Sequence, residues 1–256
     1  MNGGRPPLHE ALASADSRER YVRRLFSTIA DRYDLITVLL SFGLDRAWKR
    51  RAVRLASPAP GQHALDLACG TGDIAFALAA RGARVVGLDV THRMLQLAAS
   101  RTPHPASPTS NPVWIQGDMM SLPFADAEFD LVTTGYGLRN VPELEVTLRE
   151  IHRVLRPGGT FVSLDFNRPS SAFIRWIYLG YLSVVGGALG WVLHRDPDTY
   201  RYIPASIRRY PGAPAVARMM EGRGFGNAKW FRVLGGLMAL HVGRKPGRLS
   251  PDPIGR

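Results

Sequence analysis

Between His63 and Phe166 the chain alternates short apolar runs with segments of helical spacing, and few folds accept that pattern. The runs are His63–Leu67, Arg84–Leu88, Val113–Ile115, Phe129–Thr134 and Thr160–Phe166, and helical spacing fills Asp73–Arg81, Thr91–Arg101 and Pro142–Leu155. Apolar strands that each lead into an amphipathic helix must be covered on both faces, so the pattern predicts βαβ units around a mostly parallel sheet. In the last helix Leu144, Leu148, Ile151 and Leu155 share a face, Pro142 suits the first turn, and Pro157-Gly158-Gly159 is expected to end it. Upstream, Leu25, Phe26, Ile29, Ala30 and Tyr33 recur at three and four, so Arg18–Arg54 reads as helical until Pro58 and Pro60.

Composition excludes several classes. With 45% apolar and 21% charged residues in 256, the chain can bury an ordinary core, which rules out a disordered, collagen-like or disulfide-stapled protein. The single cysteine, Cys69, excludes an intrachain disulfide and a multi-cysteine zinc site and fits a reducing compartment. The histidines lack metal-ligand spacing, so no metal is expected. His152, Arg153 and His241 read as structural or solvated, and residues 1–24 lack the apolar core of a secretory signal.

The first apolar run leads into Asp66-Leu67-Ala68-Cys69-Gly70-Thr71-Gly72-Asp73. Glycines at a strand-to-helix turn bring backbone close to a ligand and leave amides free to bind it, which marks Gly70 and Gly72. Seventeen residues after Gly72, Asp89 ends the second strand, where a carboxylate can accept both hydroxyls of a ribose. Gly117-Asp118 follows the third strand, within reach of an adenine edge. This much fits a nicotinamide dinucleotide or S-adenosylmethionine. The acidity of Asp66, Asp73, Asp89 and Asp118 repels a pyrophosphate and suits an ammonium and a sulfonium, which favours S-adenosylmethionine.

From about Leu25 to Lys245 the chain closely resembles the ubiquinone/menaquinone biosynthesis C-methyltransferases. The match is carried by four blocks: Phe26–Asp34 with Ser41–Gly43 and Trp48–Arg50; the Asp66–Asp73 loop; Gly137-Leu138-Arg139-Asn140-Val141; and Arg153–Gly159 running into Leu164–Pro169. Asp198–Tyr202, Ser206-Ile207 and Ala239–His241 add to it. The resemblance implies a class I S-adenosylmethionine-dependent methyltransferase fold, a Rossmann-like α/β sheet of seven strands with an N-terminal helical cap. It also implies cofactor contacts from Thr71, Asp89, Asp118 and Met119. Thr37, Asp45, Gly135, Asp165 and Asn167 depart from the family's usual Asn, His, Ser, Glu and Ser. Of the departures, Gly135 removes one hydroxyl contact to the cofactor. The expected division is a tail over 1–17, a single methyltransferase domain over 18–245, and a tail over 246–256. Within the domain lie a helical cap (18–60), the cofactor core (61–167), an apolar substrate or membrane cap (168–205) and a C-terminal helix with strands (206–245). Thr102–Pro112, with four prolines, reads as a surface loop.

Methylating a ring carbon needs in-line approach, exclusion of water and stabilisation of a phenolate. Arg139, just after the fourth strand, is placed to stabilise a quinolate directly or through a water, and otherwise to pair with Glu143. Tyr33 can hydrogen-bond a quinol oxygen, or simply pack within the cap. The expected substrate is a prenylated quinol, demethylmenaquinol in the first place and the benzoquinol precursor of ubiquinone in the second.

Trp176–Leu193 holds 18 residues without charge between Arg175 and Arg195. As a helix it spans about 27 Å. Gly180, Gly186, Gly187 and Gly190 weaken it as one continuous helix, and terminal aromatics beside basic residues suit an interfacial segment. Residues 168–256 carry 14 Lys/Arg against 4 Asp/Glu, while residues 61–167 carry 8 against 11, so the basic excess falls with this segment. The expectation is a cytoplasmic enzyme docked peripherally on an anionic membrane. Aromatics gather in the apolar segment and not in basic stretches, which argues against a nucleic-acid partner. A homodimer stays open, and a non-enzymatic quinone-binding scaffold is disfavoured because Thr71, Asp89 and Arg139 are all retained.

Overall fold

A computed structural model describes residues 8–11, 13–41, 43–102 and 111–247. Residues 1–7, 12 and 248–256 of the tails, most of the Thr102–Pro112 loop and Phe42 of the first family block lie outside the described residues.

Seven strands form one sheet in the order β3-β2-β1-β4-β5-β7-β6. They are β1 His63–Leu67, β2 Arg84–Asp89, β3 Val113–Gln116, β4 Phe129–Gly135, β5 Leu155–Phe166, β6 Gly226–Val233 and β7 Met238–Arg244. Strand β7 runs antiparallel to both its neighbours, and the pairings from β3 through β5 are parallel. Four short helices precede the sheet: α1 Leu8–Ala11, α2 Ala15–Ile29, α3 Tyr33–Leu40 and α4 Asp45–Ala56. The expected helical span over Arg18–Arg54 is thus broken, by a 3-10 turn at Ala30–Arg32 and by Gly43 at φ +75°. Helices α5 Asp73–Ala79, α6 His92–Arg101 and α7 Leu144–Val154 connect the strands. Beyond β5 come α8 Ala172–His194, α9 Asp198–Arg209 and α10 Ala213–Gly222.

Alternate strand residues bury against opposite layers. Ala64, Val85 and Leu131 pack with Ala52 and Val53 of α4 and Ala75 and Leu78 of α5. Leu65, Leu67 and Val132 pack with Leu148 and Ile151 of α7 and Val216 of α10. From β1 the chain moves outward to β3, then returns across β1 to β4. That reversal opens a crevice at the carboxyl ends of β1 and β4, the place where open α/β sheets bind ligands.

Three local readings are corrected. Helix α7 begins at Leu144, with Glu143 as its N-cap, so Pro142 precedes the helix and is not in its first turn. Pro157-Gly158-Gly159 does not end that helix but lies inside β5, where the register against β4 shifts between Phe129 and Leu131. The bulge resolves the apparent stop signal, because Gly158 adopts φ +83° and lets the strand kink and continue. Helix α8 runs unbroken for 23 residues despite its glycines. Three of them face the following turn and α9: a Cβ at Gly190 would lie 2.5 Å from the Asp196 carbonyl oxygen, at Gly186 3.2 Å from Tyr200 Cβ, and at Gly187 3.4 Å from Arg201. Close helix packing offsets their poor helix propensity, about 1 kcal/mol each. The expected boundary at 205/206 falls inside α9.

Gly190→Ala is expected to lower stability by about 1–3 kcal/mol, because its methyl meets backbone that has no room to retreat. Gly180 has nothing within 4 Å, so Gly180→Ala should be neutral or stabilise by up to about 1 kcal/mol. Denaturant unfolding of the two variants checks the contrast.

Candidate functional site

The glycine loop is shaped by its backbone. Ala68, Gly70 and Gly72 all have positive φ, 49°, 54° and 91°, which folds the chain back at the mouth of the crevice. Asp89 fixes the loop from below: its carboxylate accepts the Gly70 N–H at 2.9 Å and the Thr91 N–H at 2.8 Å. Burial raises the Asp89 pKa against the pull of these amides, and the Thr91 hydroxyl and the Val90 N–H also favour its charged form. Asp89 and Gly70 line a narrow cavity of about 90 Å³ with Gly117, Asp118 and Met119, and Glu19, Val22, Arg23 and Phe26 of α2 lie across it. A nucleoside-sized ligand enters only if α2 gives way, since ordinary ligand pockets hold about 300–1,000 Å³.

Asp66, Gly70 and Thr71 line a smaller adjoining space. Asp66 accepts the Thr133 hydroxyl at 2.7 Å through Oδ1, while its buried Oδ2 has no hydrogen-bond partner. Burial pushes the Asp66 carboxyl up to about 7. An orphaned, buried carboxylate oxygen facing a glycine loop is a fit for the ammonium of S-adenosylmethionine, and the Asp89 carboxylate on the wall of the adjoining cavity fits its ribose. A Cβ on Gly70 would meet only Tyr33 Cε1, at 4.0 Å, so the loop leaves room for a ligand on that side.

Other expected contacts are redistributed. Thr71 donates its hydroxyl to Asp34 of α3 at 2.8 Å, so it ties the loop to the cap and is not aimed at the Asp89 cavity. Gly72 lines none of these spaces; it faces Trp114 and Phe76, where a Cβ would come within 2.6 and 2.8 Å. It serves the close approach of loop to sheet, not ligand contact. Nor are the four acidic residues all bare: Asp73 pairs with Lys49 at 2.9 Å and with Arg101 at 2.6 Å. The acidity that favours a sulfonium therefore rests on Asp66, Asp89 and Asp118. Cys69 is buried, and its thiol is pushed well up by burial and then by Asp89 and Asp66, so it fills space and is no nucleophile.

On the other side of Tyr33 lies a larger apolar cavity of about 420 Å³, walled by α2, α3, α8, α9 and the β6–β7 turn. Tyr33 lines all three spaces and Tyr136 lines two, so these rings stand at the junction. Arg139 lines the apolar cavity with its side chain 6% exposed. Its partner is not Glu143 but the buried Asp165, at 3.0 Å, with the Tyr136 carbonyl at 2.8 Å and the Phe166 ring 4.7 Å from the guanidinium. Burial lowers the Arg139 pKa, but Asp165 and the nearby Tyr202 and Tyr33 outweigh it, so the guanidinium stays cationic. Its Nε is buried without a partner.

Sequence reasoning missed the residues that hold this junction. Tyr136 donates to Asp45 at 2.5 Å, and Asp45 pairs with Lys49 at 2.7 Å. Asn140 donates to the Tyr136 carbonyl at 2.8 Å and accepts from the Tyr202 hydroxyl at 3.1 Å. Two of the family blocks thus meet through one hydrogen bond. His241 is buried in β7, with Ser163 and the Ala213 carbonyl as partners, in keeping with a structural role. Arg153 is not merely solvated: it pairs with Glu150 and Asp126 and donates to the Leu122 and Phe124 carbonyls. His152 is half-buried against Phe225.

The chain is 40% identical over 240 residues to the ubiquinone/menaquinone biosynthesis C-methyltransferase UbiE of Rubrivivax gelatinosus, covering 93% of each. It is 37% identical to the demethylmenaquinone methyltransferase of Streptomyces avermitilis, covering 91% of this chain and 98% of that protein. A solved SAM-dependent methyltransferase of Thermotoga maritima shares the fold at a TM-score of 0.63 and 18% identity, over 88% of this chain and 99% of that one. The model of the ubiE/COQ5 methyltransferase family matches residues 14–245, and the chain belongs to that family.

Proposed function

We propose that the protein transfers a methyl group from S-adenosylmethionine to a ring carbon of a prenylated quinol, converting demethylmenaquinol to menaquinol. The observation that carries this reading is the junction itself. A buried, cationic Arg139 with an unpartnered Nε and the phenol of Tyr33 border a large apolar cavity, which meets the glycine-loop cavities at Tyr33. Relatives named for menaquinone and for ubiquinone biosynthesis support the quinol class.

When bound, S-adenosylmethionine supplies a methyl group on a cationic sulfur, the electrophile of the reaction. Asp89 would hold its ribose hydroxyls, Asp66 its ammonium, and Asp118 and Met119 its base. On the acceptor side, Tyr33 donates to a quinol oxygen and fixes the ring. Arg139 stabilises the quinolate that forms as the adjacent hydroxyl loses its proton to a water beside the guanidinium. Once the ring carbon is methylated its own hydrogen leaves as a proton and the oxygen is reprotonated, restoring the aromatic quinol with one proton released overall. Its charge is already desolvated and anchored by Asp165, so little reorganisation accompanies the step. The apolar walls exclude bulk water and keep the reacting carbon from competing with solvent. The benzoquinol precursor of ubiquinone offers the same hydroxyl–carbon edge, so a parallel assay distinguishes the two rings.

The enzyme is further proposed to dock peripherally on the anionic inner membrane face. Support comes from α8, which is long and apolar enough to cross a membrane and leaves Phe173, Trp176, Val184, Trp191 and Val192 exposed beside Arg175 and Arg195. Interfacial docking suits it better than crossing, because Gly186, Gly187 and Gly190 are packed against α9 and its approach.

Radiolabelled methyl transfer with reduced demethylmenaquinone and the reduced benzoquinol precursor in parallel should label the naphthoquinol; absence of label from both would overturn the reading. Arg139→Ala should cut kcat by at least about 100-fold while leaving the calorimetric Kd for S-adenosylmethionine within about twofold. Because Asp66 titrates near 7 and must ionise to hold an ammonium, cofactor affinity should rise with pH by up to about tenfold per unit below 7 and then level off. Asp66→Asn should bind more weakly and lose that slope. Flotation with vesicles should show binding to anionic but not zwitterionic lipid, weakening as salt rises.

A further inference from the structure

The apolar cavity has two chemically different ends. Tyr33 and Tyr136, which also line the glycine-loop spaces, mark one end with Arg139, while Tyr178, Tyr181, Tyr200 and Tyr202 line the walls between. Among the described residues, only three that line the cavity are exposed, and all three are large aliphatics: Ile174 at 48%, Ile177 at 49% and Leu234 at 41%. The cavity wall therefore reaches the surface between the first turns of α8 and the turn joining β6 to β7. That turn is held in an unusual shape. Leu234 has φ 48°, a left-handed conformation uncommon for a leucine, and Gly235 and Gly236 follow at 63° and 101°. An exposed leucine kept in that conformation at a cavity mouth is strain of the kind that persists where it serves a site. Just outside, Phe173 and Trp176 extend the same apolar surface along α8.

We infer that the Ile174–Ile177–Leu234 opening is a portal through which the hydrocarbon tail of the acceptor leaves the protein. The inference rests on the proposed prenylated-quinol substrate and adds its orientation. The ring enters first and is held at the polar end, while the tail threads outward past three aliphatic side chains. Volume requires such an exit: about 420 Å³ holds a bicyclic ring with roughly one or two isoprene units, not a polyprenyl chain. The portal opens beside the exposed apolar face of α8, so the emerging tail stays in lipid and never crosses water. A long chain then adds almost nothing to recognition inside the protein, and the enzyme reads the ring and the first units of its tail.

The test uses full-length wild-type enzyme and demethylmenaquinols of one to four isoprene units in the same mixed micelles. The portal predicts that kcat/KM rises from one unit to two and then changes by less than about threefold to four. A continued rise with every unit, or a collapse beyond two units, would overturn it. In Ile177→Glu and Leu234→Glu, both surface changes, the ratio of kcat/KM for the three-unit over the one-unit quinol should fall at least tenfold; an unchanged ratio would count against the portal. A three-unit quinol bearing a diazirine at its tail end should cross-link within 173–177 or at Leu234, whereas labelling of Leu25, Ile29 or Tyr200 would mean that the tail stays inside. Failure of the quinol reading looks different: S-adenosylmethionine binds, yet no quinol of any length is methylated, and the portal falls with it.

Discussion

A chain of ionic and hydrogen-bond contacts joins the cap to the glycine loop, and both cavities depend on it. Tyr136 donates to Asp45, Asp45 pairs with Lys49, and Lys49 reaches Asp73 at the head of α5. Arg101 continues the chain to Asp73, the Thr71 carbonyl and Asp34, which takes the Thr71 hydroxyl. Burial lowers the Lys49 pKa, but Asp45, Tyr33 and Asp73 raise it more, so the ammonium stays charged at the centre of the network. Lys49 and Asp45 are largely withdrawn from water, so removing Lys49 would leave Asp45 buried with the Tyr136 hydroxyl but no cation, whereas without Asp45 the ammonium would keep Asp73. The arrangement couples α3 and α4, which wall the acceptor cavity, to the loop that shapes the cofactor space.

The Arg139–Asp165 pair follows the same logic on the acceptor side. A guanidinium this buried is tolerated because Asp165, the Tyr136 carbonyl and the Phe166 face surround it. Its Nη1 is shared between Asp165 and the Tyr136 carbonyl, while its Nε is buried without a partner. The rest of the lining is mostly aliphatic and aromatic, which strengthens each electrostatic contact at this end. The glycines of α8 serve the same end at a distance: by letting α9 approach, they bring Tyr200 and Tyr202 to the cavity wall.

Much of the fold was legible because the physics is local. A fully buried strand must be apolar, a helix covering it must show spacing of three and four, and the five expected runs each contain or fall within a strand. Where the reading failed, the decisive partner was distant in sequence. Pro157-Gly158-Gly159 looks like a stop signal until β4 is beside it, and then it is a bulge. The glycines of α8 look like breaks until α9 packs on them. In the site, Asp66, Asp89 and Gly70 could be read from a loop and a strand end, since both must meet at the switch of a parallel sheet. Thr71 and Gly72 sit in the same motif but face Asp34 and Trp114, and no spacing rule distinguishes the face of a turn.

By itself, then, the sequence determined the alternation of strands and helices, the position of the ligand crevice and the family to which the chain belongs. These follow from burial patterns and a loop of contiguous residues. Tertiary structure alone decided which charges are neutralised, that Arg139 is paired with Asp165, that Tyr33 lines three spaces, and that the exposed Ile174, Ile177 and Leu234 line the apolar cavity. Those features arise from residues up to about two hundred positions apart, brought within a few ångströms by packing, and no local pattern in the chain records such distances.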